Sequence, residues 1–304
     1  MFRDSGWVVQ PSATQRNLHG VFFQADGQSG WAVGDAGAII HTGNAGAQWS
    51  SQASRTSYNL NGVWFTSADE GWAVGNFGTL MHTTDAGANW NRVAVNASEN
   101  LTDVCFTDPD TGFACGSAGV VLNTVDGGAS WGRTTLTTFT LRSVSFAGAR
   151  FGWVVGDGGA LFGTIDRGVS WADDGAGTTQ ALKAVWRRRA ESAWAVGSQG
   201  VAPLTTGTPT SFGWSLVNTG AFNQLEGVHF HPAQRRRRAV LAVPGGAFQQ
   251  HAQRRVLRRH AARLGGGRCR HHRPHRGGRP RLTPWARTTR RAGRCGCERL
   301  RGVP

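Results

Sequence analysis

"GWAVGNFGTLMHTTDAGANW", residues 71–90, places two tryptophans and four glycines around a polar turn, Thr83-Thr84-Asp85-Ala86-Gly87. Taken alone, Asp85 between a histidine and a tryptophan reads as a candidate acid. Taken with the rest of the chain, the stretch is one copy of a repeat. Its first element, Trp-x-Val-Gly, recurs as "WAVG" at Trp31, "FACG" at Phe113, "WVVG" at Trp153 and "WAVG" at Trp194. With Trp72 these make five copies at a near-constant interval, the mark of a repeat architecture. A Leu-x-x-Val element precedes each copy: "LHGVFF" from Leu18, "LNGVWF" from Leu60, "LTDVCF" from Leu101, "LRSVSF" from Leu141 and "LKAVWR" from Leu182. A sixth, "LEGVHF" from Leu225, follows them. A Thr-x-Asp-x-Gly-x-x-Trp element closes four of the copies. These are Thr42, Asn44, Gly46 and Trp49; Thr83, Asp85, Gly87 and Trp90; Thr124, Asp126, Gly128 and Trp131; and Thr164, Asp166, Gly168 and Trp171.

Each unit predicts four short strands. "LNGVWF" and "GTLMHT" alternate apolar and polar residues, "GWAVG" is a short apolar run between glycines, and "WNRVAV" follows the turn. Helical repeats are excluded by the glycine and β-branched content. A solenoid is the alternative, but four strands in every ~41 residues is the pattern of a β-propeller blade. Trp7 stands as far ahead of Leu18 as Trp49 does of Leu60 and Trp90 of Leu101. Residues 1–17 therefore read as the outer strand of a closing blade. Five full repeats span 18–224 and the next begins at 225–230. The expectation is an all-β protein, residues 1–230 forming a β-propeller on a seven-bladed plan, with six blades as the alternative.

Charge separates this region from the remainder. Residues 1–230 carry 12 Lys+Arg against 17 Asp+Glu, whereas residues 231–304 carry 21 arginines and one acid, Glu298. The net +15 of the whole chain thus belongs to the tail. Two readings of residues 231–304 stand side by side. An arginine-rich, disordered arm would bind nucleic acid through phosphates; Phe248 and Trp285 are its only Phe, Tyr or Trp residues and only Trp285 lies among the arginine runs, which gives base stacking little support. Alternatively the text is out of frame. Codons CTG GGC GGT GGG CGA TGC would encode Leu264 to Cys269, and read one base later they spell Trp-Ala-Val-Gly-Asp-Ala. "LAVPGGAF" from Leu241 reads as a faint in-frame remnant of the repeat.

The repeating acids are expected to be structural. One shared active site does not need the same acid in every repeat, and an Asp or Asn at a turn can bind the backbone amide two residues on. The glycine takes a positive φ at no steric cost, and the tryptophan buries a large ring. The aromatics of Trp-x-Val-Gly read as core. His41 and His82 occupy one repeat position on different blades, so neither reads as a metal ligand. Cys105 and Cys115 read as buried thiols in neighbouring strands, with a disulfide as the alternative. Five cysteines do not make a disulfide scaffold. No cofactor or metal site is expected. No run of 18 apolar residues predicts a membrane span, and no signal peptide is visible. Arg187, Arg188 and Arg189 replace the polar loop "TSADEG" of the second unit and break the repeat. They are the one candidate partner-binding cluster, suited to an acidic partner.

"GWAVG", the following "GxxxxT" and the Asp-box, in that order and spacing, resemble the photosystem II stability/assembly factor type of propeller. The resemblance covers residues 1–230. It implies seven blades, a protein partner (a membrane-protein assembly intermediate in photosynthetic members), a monomer, and export to the periplasm, thylakoid lumen or extracellular space. Unit five departs from it, with "TTGTPTSFGW" where an Asp-box belongs. The Asp-box also resembles that of sialidases, which implies an exported glycoside hydrolase with three arginines, a Tyr/Glu pair and an Asp acid. Tyr58 is the sole tyrosine, Arg142 the one arginine within a first-strand motif, and the glutamates are Glu70, Glu99, Glu191 and Glu226, so no registered motif assigns the nucleophile, the acid or the clamp. The expectation is a non-catalytic, protein-binding propeller. The hydrolase and the nucleic-acid arm are the alternatives.

Overall fold

A computed structural model describes residues 10–189, 192–205, 213–217, 219, 223–230 and 239–242. Sequence period becomes sheet in each unit. The first sheet comprises β1 (Leu18–Phe23), β2 (Gly30–Gly34), β3 (Ile39–Thr42) and β4 (Ser50–Gln52). The second comprises β5 (Leu60–Phe65), β6 (Gly71–Gly75), β7 (Thr79–Thr83) and β8 (Asn91–Arg92). The third comprises β9 (Leu101–Phe106), β10 (Gly112–Gly116), β11 (Val120–Thr124) and β12 (Gly132–Thr135). The fourth comprises β13 (Leu141–Ala147), β14 (Phe151–Gly156), β15 (Leu161–Thr164) and β16 (Ala172–Asp173). The fifth comprises β17 (Leu182–Arg189), β18 (Ser192–Gly197), β19 (Pro203–Thr205) and β20 (Trp214–Leu216). In all five the strands are antiparallel and ordered as in the chain. A two-stranded sheet follows, β21 (Gly227–Phe230) with β22 (Ala239–Ala242).

The first strands pack against one another in succession, β1 on β5, β5 on β9, β9 on β13, β13 on β17 and β17 on β21. They form the inner wall of a β-propeller, and each sheet is a blade. Close approach fixes two glycines of the repeat. A Cβ on Gly75 would lie 2.1 Å from the Asn59 carbonyl oxygen, and one on Gly71 would lie 2.5 Å from the Phe65 ring.

Aromatic triads weld neighbouring blades. Trp31 stacks on Phe65 at 3.6 Å between ring centroids, and Trp90 meets Phe65 edge-on at 6.0 Å. Trp72, Phe106 and Trp131 repeat the arrangement one blade on, and Phe113, Phe146 and Trp171 repeat it again. Four of the Trp-x-Val-Gly aromatics, Trp31, Trp72, Phe113 and Trp153, are therefore core, as their spacing predicts, while Trp194 is half-buried.

Several expectations need correction. The fourth strand is short, two residues in β8 and β16. Arg187 is not in a loop. Strand β17 continues through Arg189, and Arg187 pairs with Ala193 as Phe65 pairs with Gly71. Arg187 thus stands in the phenylalanine slot of the fourth triad, where Trp153 and Trp214 meet edge-on at 6.5 Å. Leu241 and Ala242, the first two residues of the stretch read as a remnant of the repeat, belong to a second strand, β22, but Val228 opposite Leu241 matches Val63 opposite Ala73. That register sets Val240, not Leu241, at the tryptophan position. The outer strand expected around Trp7 and the tail apart from β22 lie outside the described residues.

Candidate functional site

Each turn that follows β3, β7, β11 and β15 is closed by its own side chains. Thr83 Oγ1 accepts the Gly87 N–H at 2.9 Å and donates to Asp85 Oδ1 at 2.8 Å. Asp85 Oδ1 in turn accepts the Asn89 N–H at 2.8 Å. Thr42 with Asn44, Thr124 with Asp126 and Thr164 with Asp166 repeat this network. The carboxylate reaches four residues on, not two; the amide two on, the Gly87 N–H, binds Thr83 Oγ1 instead, at 2.9 Å. Two consecutive left-handed residues make this possible, Ala86 at φ 55° and Gly87 at φ 86°. The hydrogen bonds from Asn89 and Ser130 hold the Asp85 and Asp126 carboxyls below the ordinary range, Asp126 at about 2. Three carboxylates, Asp85, Asp126 and Asp166, and one neutral amide, Asn44, each committed to the backbone amides of its own turn, are turn staples.

The repeat positions that do converge are those following each leucine of Leu-x-x-Val. His19, Asn61, Thr102, Arg142, Lys183 and Glu226 all line one cavity of about 570 Å³ at the inner wall. Asn76, Asn100, Ser117 and Thr140 complete the lining. The convergence follows from the fold. Five innermost strands start at their leucine and β21 two residues after Leu225, and the side chain after each leucine lines the cavity. The residue after each Trp-x-Val-Gly glycine is then brought alongside, because its N–H binds the carbonyl just before the leucine, as Asn76 N does to Asn59 at 2.9 Å.

Polar chemistry at this ring divides by blade. Asn61 Nδ2 donates to the Leu101 carbonyl at 2.7 Å, and Thr102 Oγ1 donates to the Leu141 carbonyl at 2.7 Å, so both stitch one inner strand to the next. Arg142 makes a two-pronged pair with Asp157, at 2.7 and 2.6 Å. The Asp157 hydrogen bonds push the guanidinium further up from its ordinary value, so it stays charged. His19 Nε2 lies 2.7 Å from Asp35 Oδ1, and the His19 and Asn17 hydrogen bonds hold the Asp35 carboxyl down. Lys183 forms no ion pair among the described residues. Glu226 is the one carboxylate in the lining. A second cavity, about 620 Å³ between Arg16, Ile40 and Ser54, is framed mostly by Ala, Gly, Ser and Thr and gathers no comparable set of charged groups.

The remaining candidates fall elsewhere. Arg187 is exposed on β17, while the Arg188 and Arg189 side chains lie outside the described ones. Cys105 and Cys115 are buried free thiols, and burial raises both above the ordinary thiol range. His82 stacks on Trp72 at 3.9 Å, and His41 lies tilted against Trp31 at 4.7 Å. Among the described residues no cluster of three metal-ligating side chains forms, and no helix is long and apolar enough to cross a membrane. The ring after the leucine was missed in the sequence. Its signal was available, since that column holds a polar or charged residue in every copy, His, Asn, Thr, Arg, Lys and Glu, between an invariant leucine and an invariant valine two residues on.

Comparison with known proteins follows the same outline. YCF48 from Cyanidioschyzon merolae is 21% identical, with a TM-score of 0.64 over 80% of this chain and 84% of that one. A structure of YCF48 bound to D1 peptide is 18% identical, with a TM-score of 0.58 over 75% of each chain. The GH74 xyloglucanase from Xanthomonas campestris is 12% identical, with a TM-score of 0.59 over 74% of this chain and 43% of that one. At such identities these likenesses speak for the fold alone. No curated protein sequence matches significantly. The sequence profile of the photosynthesis system II assembly factor YCF48 matches residues 1–99 and 92–198, about two thirds of the chain. On that match the chain belongs to the family of photosystem II assembly factor YCF48.

Proposed function

We propose that this propeller is a non-catalytic assembly factor that holds an extended segment of a client protein at its axial cavity. The observation that carries the reading is the convergence of the six polar or charged positions, His19, Asn61, Thr102, Arg142, Lys183 and Glu226, on one cavity. Amides, hydroxyls and charges of both signs supply the donors and acceptors that a peptide backbone needs. The D1 peptide bound by a YCF48 relative supports a protein client. A glycosidase reading needs two carboxylates about 5–9.5 Å apart. The described cavity offers Glu226 alone, with Asp35 and Asp157 tied to His19 and Arg142.

Family membership also supports the seven-bladed plan and a place on the lumenal or periplasmic side of a membrane. Arg187 remains a candidate for contact with an acidic partner, now from a strand. Nucleic acid would be a partner only through an in-frame basic tail.

An array of synthetic dodecapeptides tests the reading, probed with the full chain and with Lys183→Glu. A defined subset of peptides should bind, and the substitution should weaken it. Absence of any binding peptide, or hydrolysis of xyloglucan or a sialoside that is lost in Glu226→Gln, would overturn it.

A further inference from the structure

A second ring of variable positions surrounds the axial cavity. It consists of the residue two before each leucine and the residue two after each Trp-x-Val-Gly glycine. In the first blade these are Arg16 and Ala36, joined by a 2.6 Å hydrogen bond from the guanidinium to the Ala36 carbonyl. In the third they are Glu99 and Ala118, with Glu99 paired to Arg133. In the second they are Tyr58 and Phe77, whose rings meet at 5.0 Å. In the fourth they are Phe139 and Gly158, and a Cβ on Gly158 would lie 2.8 Å from the Phe139 ring.

The aromatics of blades two and four are open to solvent, Tyr58 at 40%, Phe77 at 60% and Phe139 at 51%. They adjoin the cavity. Phe77 follows the lining residue Asn76, and its N–H binds Asn100 Oδ1, another lining residue, at 3.0 Å. Phe139 precedes the lining residue Thr140. Phe77 is also held in the left-handed region, at φ 56°. Its repeat equivalents there are Ala36, Ala118, Gly158 and Gln199. A bulky ring in that conformation carries backbone strain, and its exposure forgoes burial. The Tyr58–Phe77 pair therefore costs the free protein twice and gains it little.

We infer that Tyr58 and Phe77 form an apolar clamp on the axial face, which grips an aromatic or branched aliphatic side chain of an extended peptide, with Phe139 a separate exposed ring two blades on. This rests on the proposed function and names what the partner must carry. The axial cavity takes the peptide's polar groups, and the clamp beside it takes one large apolar side chain, the division of labour by which aromatic anchors dominate interfaces. The partner is a polypeptide. A sugar or a nucleobase would also stack on one ring, but neither presents a backbone to match the mixed donor and acceptor lining.

The test uses the same array of dodecapeptides, with every binder paired to a copy in which its Leu, Ile, Phe, Tyr and Trp are replaced one at a time by Ser. In each binder one replacement should weaken binding to the wild-type full chain by about tenfold. Phe77→Gly should erase that difference, leaving parent and Ser copy within about twofold. Glycine accepts the left-handed conformation, so thermal melting should show this variant at least as stable as wild type, which separates lost binding from lost folding. Tyr58→Ser should act in the same direction. If binders exist but no apolar replacement weakens them, or if Phe77→Gly keeps the discrimination, the clamp is wrong while the axial site stands. If no peptide binds at all, both fail together.

Discussion

The indole of Trp31 lies flat on the ring of Phe65 from the next blade, 3.6 Å away and 18° from parallel. The equivalent first-blade ring, Phe23, meets its own Trp49 edge-on at 5.9 Å. Phe65 is 4% exposed and Phe23 39%. Phe65→Ala should therefore destabilise the protein by about 3–5 kcal/mol, as buried phenylalanine truncations do, and Phe23→Ala by less than about 1 kcal/mol. Urea unfolding followed by tryptophan fluorescence measures both. Equal losses would mean that Phe23 is covered in solution.

Thr83 is the buried hub of its turn. Replacing it with Val removes the acceptor of the Gly87 N–H at 2.9 Å and leaves that amide buried and unmet. The expected loss is about 1–3 kcal/mol. Thr84→Val, one residue on and exposed, should be near neutral under the same denaturant titration.

The Asp-box carboxyls set the acid limb. Hydrogen bonds from Ser130 and Thr124 lower Asp126 to about 2, against an ordinary 3.8. A group whose folded value is depressed stabilises the fold above its unfolded value and loses that stabilisation as pH falls through the folded one. The window is thus about 3.8 down to about 2. Asp126→Asn should flatten the stability profile there, read from melting temperature at stepped pH.

Asp103 acts in the opposite sense. It sits in the seam between the third and fourth blades, where Oδ2 accepts the Val144 N–H at 3.0 Å. Burial raises it to about 6 from 3.8. A raised carboxyl binds its proton more readily when folded, so its contribution is fully present below about 3.8 and is lost as pH rises through about 6. Asp103→Asn should remove this dependence between pH 4 and pH 7, a change of roughly 1–3 kcal/mol. Were the variant to show the wild-type slope, the assignment to Asp103 would fail.

Cys105 and Cys115 should resist alkylation in the native protein at pH 8, because burial disfavours both thiolates. Peptide mapping after iodoacetamide should find them labelled once urea is added. Labelling without denaturant would show the third blade opening.

How much was legible differs by residue. The spacing of Trp31, Trp72, Phe113, Trp153 and Trp194 specified four strands per unit, because a strand declares itself in a short alternation and a repeat declares itself by recurrence. Asp85 lost its catalytic look beside Asn44, Asp126 and Asp166 for the same reason. The placing of Arg187 in a loop failed because a longer first strand made it a strand residue in an aromatic slot.

The sequence by itself determined the blade, its turn and the order of its strands, since these rest on neighbours within a single repeat. Only the tertiary structure decided that His19 and Glu226, from the first and last of the Leu-x-x-Val elements, share a cavity, and that Tyr58 leans on Phe77. Those relations exist only once the inner strands stand side by side around an axis. Blade-to-blade packing then sets which variable side chains face one another, and no local pattern encodes that.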